Sequence, residues 1–207
     1  RDPPGRAQAA LRDLGLHRLR HVRVLLPDRA RRDSHPTSER DAVTGAAQLV
    51  IRQAQAQDLE AVQALAQAVA GQPLLQRYGT TPAGLVADLT RVLQAQTSEP
   101  TELLLLADCA QLGLLGFARV LLRGQLGRGG YLKLIALLPG LEGQGIGDKL
   151  LRGVEEQVAT HSPDLFLLTS DFNQGAQRFY GRAGYVQVGA LPDFARPGIV
   201  ELLYWKR

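Results

Sequence analysis

The sequence predicts an α+β fold built on a mixed, mostly antiparallel sheet that contains one parallel strand pair. Three observations carry this. Two apolar segments, Glu102–Cys109 and Leu115–Arg123, are separated only by a short turn around Gln111-Leu112-Gly113, the spacing of an antiparallel hairpin. Residues Leu132 to Leu151 read LKLIALLPGLEGQGIGDKLL: an apolar run stopped by Pro139, a glycine-rich turn, then an amphipathic segment from about Gly145. That is strand, loop, helix. A further apolar segment, Asp164–Asp171, follows the helix, and strand–helix–strand demands a crossover and a parallel pair.

The other elements fall in order around this frame. Residues 1–47 read as a basic extension and linker, with a short helical pattern at Ala9, Ala10, Leu11 and Leu14 and an alternating strand-like run His21–Leu26. Residues 48–207 read as one domain. Leu49–Arg52 is a short strand, and Ala56–Ala70 a helix with Leu59, Val62, Leu65 and Val69 on one face. GQPLLQRYGTT reads as a loop presenting an exposed Tyr78. Thr81 can then N-cap a helix from Pro82 to about Ala95, with Pro82 at its first position. A turn at Gly124–Gly130 leads into the strand Tyr131–Leu138. The helix after the glycine turn runs to about Thr160, with Ile146, Leu150, Leu151, Val154 and Val158 inward. Leu165–Leu168 is apolar without alternation, as for a strand covered on both faces. Asn173 can cap a helix Gln174–Arg182, Gly184 can end it in a left-handed conformation, and Ile199–Trp205 is a final strand.

Composition excludes several classes. With 45% apolar and 21% charged residues the chain reads as a soluble globular protein, and no apolar run approaches the length of a membrane span. The segment RDPPGRAQ lacks the apolar core of a signal peptide, so a cytoplasmic protein is expected. One cysteine, Cys109, precludes an internal disulfide and fits a reducing compartment; beside a leucine run it reads as a small core residue. The abundance of Arg, Ala, Leu and Gly suggests a GC-rich bacterial genome. Residues 1–47 carry ten arginines against six acids, whereas the rest is neutral, fourteen against fourteen. Those first residues contain no Phe, Tyr or Trp, which argues against nucleic-acid binding. His17, His21 and His35 have no metal-ligand spacing, and no metal is expected.

Gly143, Gly145 and Gly147 sit where the loop becomes the helix, leaving backbone N–H groups bare at the positive end of the helix dipole. A Walker loop would need Gly-Lys and a hydroxyl residue after Gly145, where Ile146 and Gly147 stand. The Rossmann fingerprint would need a third glycine at Asp148. What remains is a Gly-x-Gly-x-Gly turn suited to a diphosphate held by amides without metal, or else a merely structural turn.

LPGLEGQGIGDKLL resembles the acyl-CoA-binding motif of the GNAT superfamily of N-acetyltransferases: Gln or Arg, two residues, Gly, one residue, Gly or Ala. Gly145 and Gly147 match, and Glu142 stands at the Gln/Arg place. SDFNQGAQRFYGRAGYVQVG is similar to the family's second motif through Asn173, Ala176, Phe179, Tyr180, Gly184 and Tyr185. The resemblance spans about residues 48–207. It implies a sheet flanked by helices on both faces, whose parallel strands splay so that pantetheine enters like an extra strand. Backbone groups of Ile135 and Leu137 would bind it, and the Leu137 amide would polarise the thioester carbonyl. The pyrophosphate would lie on Gly143, Gln144, Gly145, Ile146 and Gly147, and Asn173 would face the cofactor. Tyr180 would be the general acid for direct attack by a primary amine on acetyl-CoA, with Arg77 and Tyr78 on the acceptor side. The final strand would allow a homodimer. The base stays open among Asp171, Glu102 and a water chain, because the strand before the glycine loop carries Lys133 and no acid. Two alternatives stand beside the enzyme: a degenerate acyl-CoA-binding sensor, and an interaction module working through the basic extension.

Overall fold

The computed structural model describes residues 23–25, 49–95 and 100–207. The expected helical pattern at Ala9–Leu14, the linker 28–47 and the three early histidines lie outside the described residues. Strands β1 (Arg23–Leu25), β2 (Leu49–Gln53), β3 (Glu102–Cys109), β4 (Gly113–Gln125), β5 (Gly129–Leu137), β6 (Leu165–Ser170), β7 (Val186–Pro192) and β8 (Val200–Lys206) belong to one sheet. Its order is β2-β3-β4-β5-β6-β8-β7, with β1 paired to β5. The helices are α1 (Leu59–Ala70), α2 (Pro73–Arg77), α3 (Pro82–Gln94), α4 (Ile146–Ala159) and α5 (Gln174–Arg182).

Helices cover both faces of the sheet. On one face Val62, Leu65 and Val69 of α1 and Leu85, Leu89 and Val92 of α3 pack on Leu104, Leu106, Phe117, Leu134 and Ala136. On the other, Ile146, Leu150, Leu151, Val154 and Val158 of α4 pack with Phe179 and Tyr180 of α5 on Leu103, Leu105, Val120, Leu132 and Ile135. Every residue of β5 and β6 is consequently buried, which accounts for their unbroken apolar character. Cys109 lies in this core.

The capping chemistry is as the sequence predicts. Thr81 Oγ1 accepts from the Gly84 N–H at 3.1 Å with Pro82 at the first helical position, and Asn173 Oδ1 accepts from Ala176 N–H at 3.1 Å. Three expectations are corrected. GQPLLQRYGTT is not all loop, since Pro73 starts the short helix α2. Tyr78 is not exposed: only 1% of it is accessible, because its ring meets Phe172 at 5.6 Å and its hydroxyl bonds the buried Ser170 hydroxyl. Strand β7 was not anticipated; it forms the sheet's edge and leaves Val186 and Val188 facing solvent, so it lacks the burial that marks the other strands.

Neighbouring strands along the main order pair antiparallel except β5 and β6. Those two pair in parallel only from Gly130–Leu165 to Leu132–Leu167. From Leu134 onward they part, and β1 runs parallel to β5 there, with Val24 opposite Ile135. No helix among the described residues is long and apolar enough to cross a membrane.

Gly116 faces Leu137 across β4 and β5, where a Cβ would lie 2.6 Å from the Ala136 carbonyl oxygen. Gly116→Ala is therefore expected to cost about 1–3 kcal/mol through overpacking, read by urea denaturation. At exposed Gly181 in α5 a Cβ meets nothing within 4 Å. Gly181→Ala should be neutral or stabilise by up to about 1 kcal/mol. Equal losses in the two variants would contradict this account of the sheet.

Candidate active site

The glycine turn joins β5 to α4 in the conformation its composition suggests. Gly140 (φ 86°), Gly143 (φ 77°) and Gly145 (φ 77°) are left-handed, a region open to glycine at little cost. Gly145 is the N-cap, and the first intrahelical bond runs from Lys149 N–H to Gly145 O at 3.1 Å. The amides of Ile146, Gly147 and Asp148 precede it and have no carbonyl partner in the helix. A Cβ at Gly140 or Gly145 would meet nothing within 4 Å, so the turn is open to its surroundings. Glu142 turns its carboxylate back to accept from the Gly140 N–H at 3.3 Å, and Gln144 Nε2 donates to Gly140 O at 3.4 Å.

A cleft of about 650 Å³ opens beside this turn, walled by Gln72 and Arg77 of the α2 region, by Pro139 and Glu142, and by Phe172 and Asn173. It sits at the end of the splay. Leu138 N–H donates to Leu115 O at 2.8 Å, so by the alternation of an antiparallel ladder the backbone groups of Ile135 and Leu137 point away from β4. They face the gap between β5 and β6. Gln72 Nε2, at the start of α2, already donates to Leu137 O at 2.9 Å.

Tyr180 lies on α5 with none of its surface accessible, its ring against those of Phe179 (5.2 Å), Tyr185 (5.4 Å) and Tyr204 (6.2 Å). Its hydroxyl has no hydrogen-bond partner, and neither have those of Tyr131 and Thr169. Burial pushes the Tyr180 phenol well above its usual range, so it stays protonated at any working pH. The two phenols thus leave hydrogen-bonding capacity unmet among the described residues.

These features coincide with a known pattern. The sequence profile described as acetyltransferase (GNAT) family matches residues 72–185, more than half of the chain. The chain belongs to the GNAT family. Solved structures agree on the fold. A protein from Desulfovibrio desulfuricans described as a GNAT-family acetyltransferase superposes with TM-score 0.63 at 22% identity, covering 77% of this chain and 98% of that one. A chimera of the spermidine N-acetyltransferase of Vibrio cholerae gives 0.60 at 20% identity, covering 76% and 94%. An aminoglycoside 6'-N-acetyltransferase complexed with coenzyme A gives 0.57 at 17% identity, covering 76% and 96%. No curated protein matches the chain.

In this GNAT fold the two residues expected on the acceptor side part company. Arg77 stacks on Phe172 at 3.7 Å inside the 650 Å³ cleft with Glu142 and Asn173. Tyr78 instead lines a second cavity of about 380 Å³ with Thr80, Lys133 and Arg196. Its hydroxyl leads to Ser170, whose Oγ donates to Glu201 Oε1 at 2.7 Å, three buried residues from three elements. Sequence reasoning missed Ser170, Glu201 and Arg196, because no local pattern links residues 92 and 31 positions apart in the chain. Of the proposed bases, Glu102 is poorly suited. Burial pushes its carboxyl up, but Arg119 Nε at 2.6 Å and Lys133 Nζ at 3.1 Å outweigh that and hold it below the usual range.

That clamp has a pH signature. Its contribution is fully present above the ordinary glutamate pKa of about 4.3 and is lost as pH falls through the lower folded-state value. Glu102→Gln should therefore destabilise by about 2 kcal/mol at pH 7. Its deficit against the parent should shrink as the unfolding series is repeated toward pH 3. Tyr180→Phe should leave the melting temperature unchanged or higher, since it removes a buried hydroxyl that bonds to nothing.

Proposed function

We propose that the protein is an acyl-CoA-dependent N-acetyltransferase that moves the acetyl group of acetyl-CoA to the primary amine of a small molecule or protein by direct attack. The observation that carries this is the splay itself. At one place the chain brings together two gap-facing backbone positions, a left-handed glycine turn with free first-turn amides, and a phenol buried without a partner.

The residues present fit the co-substrate. Backbone groups of Ile135 and Leu137 would pair with pantetheine as an added strand, the Leu137 amide polarising the thioester carbonyl. Amides of Gly143 to Gly147 would cradle the pyrophosphate, and Glu142, turned onto Gly140, is engaged within the loop instead of facing those amides. Asn173 would close the other side of the cleft. As the C–N bond forms and the C–S bond breaks, Tyr180 would give its proton to the departing thiolate. Strand β1 uses the same edge of β5, so it and pantetheine exclude each other at Ile135.

The reading also carries a domain spanning residues 48–207 preceded by a basic extension, and a cytoplasmic location, in keeping with one buried cysteine. Two copies would pair along the C-terminal strands, where β7 exposes Val186 and Val188.

Calorimetry with acetyl-CoA, followed by a free-thiol assay with a panel of amines, tests the function. The parent should bind and release thiol. Tyr180→Phe should lose about 10²–10⁴-fold in kcat while its acetyl-CoA affinity stays within a few-fold. Binding without thiol release would favour the sensor, and no binding would overturn the reading. Val24→Pro, which removes a strand N–H from β1, should tighten acetyl-CoA binding.

A further inference from the structure

The second cavity has a charge balance that the fold alone does not require. It lies between the α2–α3 connection and β5, on the face of the sheet covered by α1 and α3. Lys133 and Arg119 reach it from β5 and β4, both more than nine-tenths buried. They share a single carboxylate oxygen, Glu102 Oε1, at 3.1 and 2.6 Å. The other oxygen of Glu102 stands 4.0 Å from Arg91. The remaining acid, Asp88 on α3, is divided between Arg91 at 3.7 Å and Arg119 at 3.5 Å and is more than half exposed.

A third cation closes the cavity. Arg196, in the β7–β8 connection, lays its guanidinium across Gly79 so closely that a Cβ there would sit 2.1 Å from one of its nitrogens. Gly79 is left-handed at φ 68°, and this approach leaves room for no other residue. No carboxylate among the described residues pairs with Arg196. Thr80 Oγ1, in the same wall, is buried without a hydrogen-bond partner. Three cations thus face the cavity, where Glu102 and Asp88 are the carboxylates within reach of Arg119 and Lys133, and an unused hydroxyl stands beside them. Burial and the charge of Arg119 both press on the Lys133 ammonium, which only Glu102 relieves. Arg119 and Lys133 are buried on one shared carboxylate, and the exposed Arg196 at the mouth has no acid of its own among the described residues, so the cavity suits an incoming anion.

Resting on the acetyltransferase reading, we propose that this cavity is the acceptor pocket and that the acceptor is a primary amine carrying its own carboxylate or phosphate. Arg196, Lys133 and Thr80 bind the anionic group. Its charge is neutralised there, and the ammonium at the other end lies in the field of Arg119. A positive field disfavours the ammonium, so the amine loses its proton to solvent more readily and attacks as the neutral nucleophile. The pocket accomplishes in this way part of what a dedicated base would do. It turns away polyamines, whose further ammonium groups meet the same repulsion.

The test has two independent arms on the full chain. In the first, calorimetry measures N-acetylglycine and inorganic phosphate, neither of which can be acetylated. At least one should bind the parent, and Arg196→Ala should weaken it about tenfold, the expected loss of one charge-assisted contact. Which of the two binds distinguishes carboxylate from phosphate. In the second, thiol release is compared for glycine, glycinamide, O-phosphoethanolamine, ethanolamine and spermidine. An anionic amine should exceed its uncharged counterpart by about tenfold in kcat/KM. Arg196→Ala should erase that margin through KM. Preference for spermidine, equal rates for matched acid and amide, or anion binding untouched by Arg196→Ala would each overturn the proposal. Anion binding without acetyl-CoA binding would instead preserve the pocket and remove the acetyltransferase reading.

Discussion

The structure depends on one deliberate failure of pairing. Parallel strands β5 and β6 share three residue pairs and then separate, although both are buried along their whole length. Buried backbone N–H and C=O groups are ordinarily satisfied, so strands that part inside a protein leave groups in need of partners. Here the alternation of the β4–β5 ladder decides which groups these are, namely those of Ile135 and Leu137. Gln72 answers one of them, and β1 runs along the same edge. The glycine turn and the cap of α5 both lie at the open end because they are the connections that leave β5 and β6 there. The site is therefore a consequence of where the sheet opens.

The two cavities on either side of the α2 region differ in kind. The larger one is walled by the glycine turn, Asn173 and the Arg77–Phe172 stack, and offers mainly amides and one guanidinium. The smaller one is lined by side-chain charge drawn from α3, β4, β5 and the β7–β8 connection. A diphosphate is recognised well by converging amides, whereas a small anion on a variable acceptor needs placed cations. Glu102 anchors two of the cations of the smaller cavity. Clamped by Arg119 and Lys133, it keeps those cations in place at the cost of its own basicity.

Much of the frame was legible because it is local. The hairpin, the strand–loop–helix unit, the Thr81 and Asn173 caps and the apolar strands β5 and β6 all follow from short-range pattern. The glycine turn was readable for the same reason, since three glycines in five residues have a conformational meaning wherever they occur. Tyr78 was misjudged because its burial comes from Phe172 and Ser170, more than ninety residues away in the chain. Strand β7 escaped notice because it is an edge strand whose valines face outward, so burial gave no cue. The charged cavity was invisible for a further reason. Residues 48–207 sum to zero charge, and only folding gathers Arg119, Lys133 and Arg196 around one cavity.

Energetics also distinguish the site from the core around it. A hydroxyl buried without a bond costs about 1–3 kcal/mol, and Tyr180, Tyr131 and Thr169 each carry one. A chain needing only a packed core could place phenylalanine or valine at these positions and be more stable for it. The same holds for the cations, since a leucine at Lys133 would suit a strand buried along its length. Stability is forgone at each of these positions. Concentration of unmet polar groups in one region of an otherwise well-satisfied fold is what a binding site looks like before its ligand arrives.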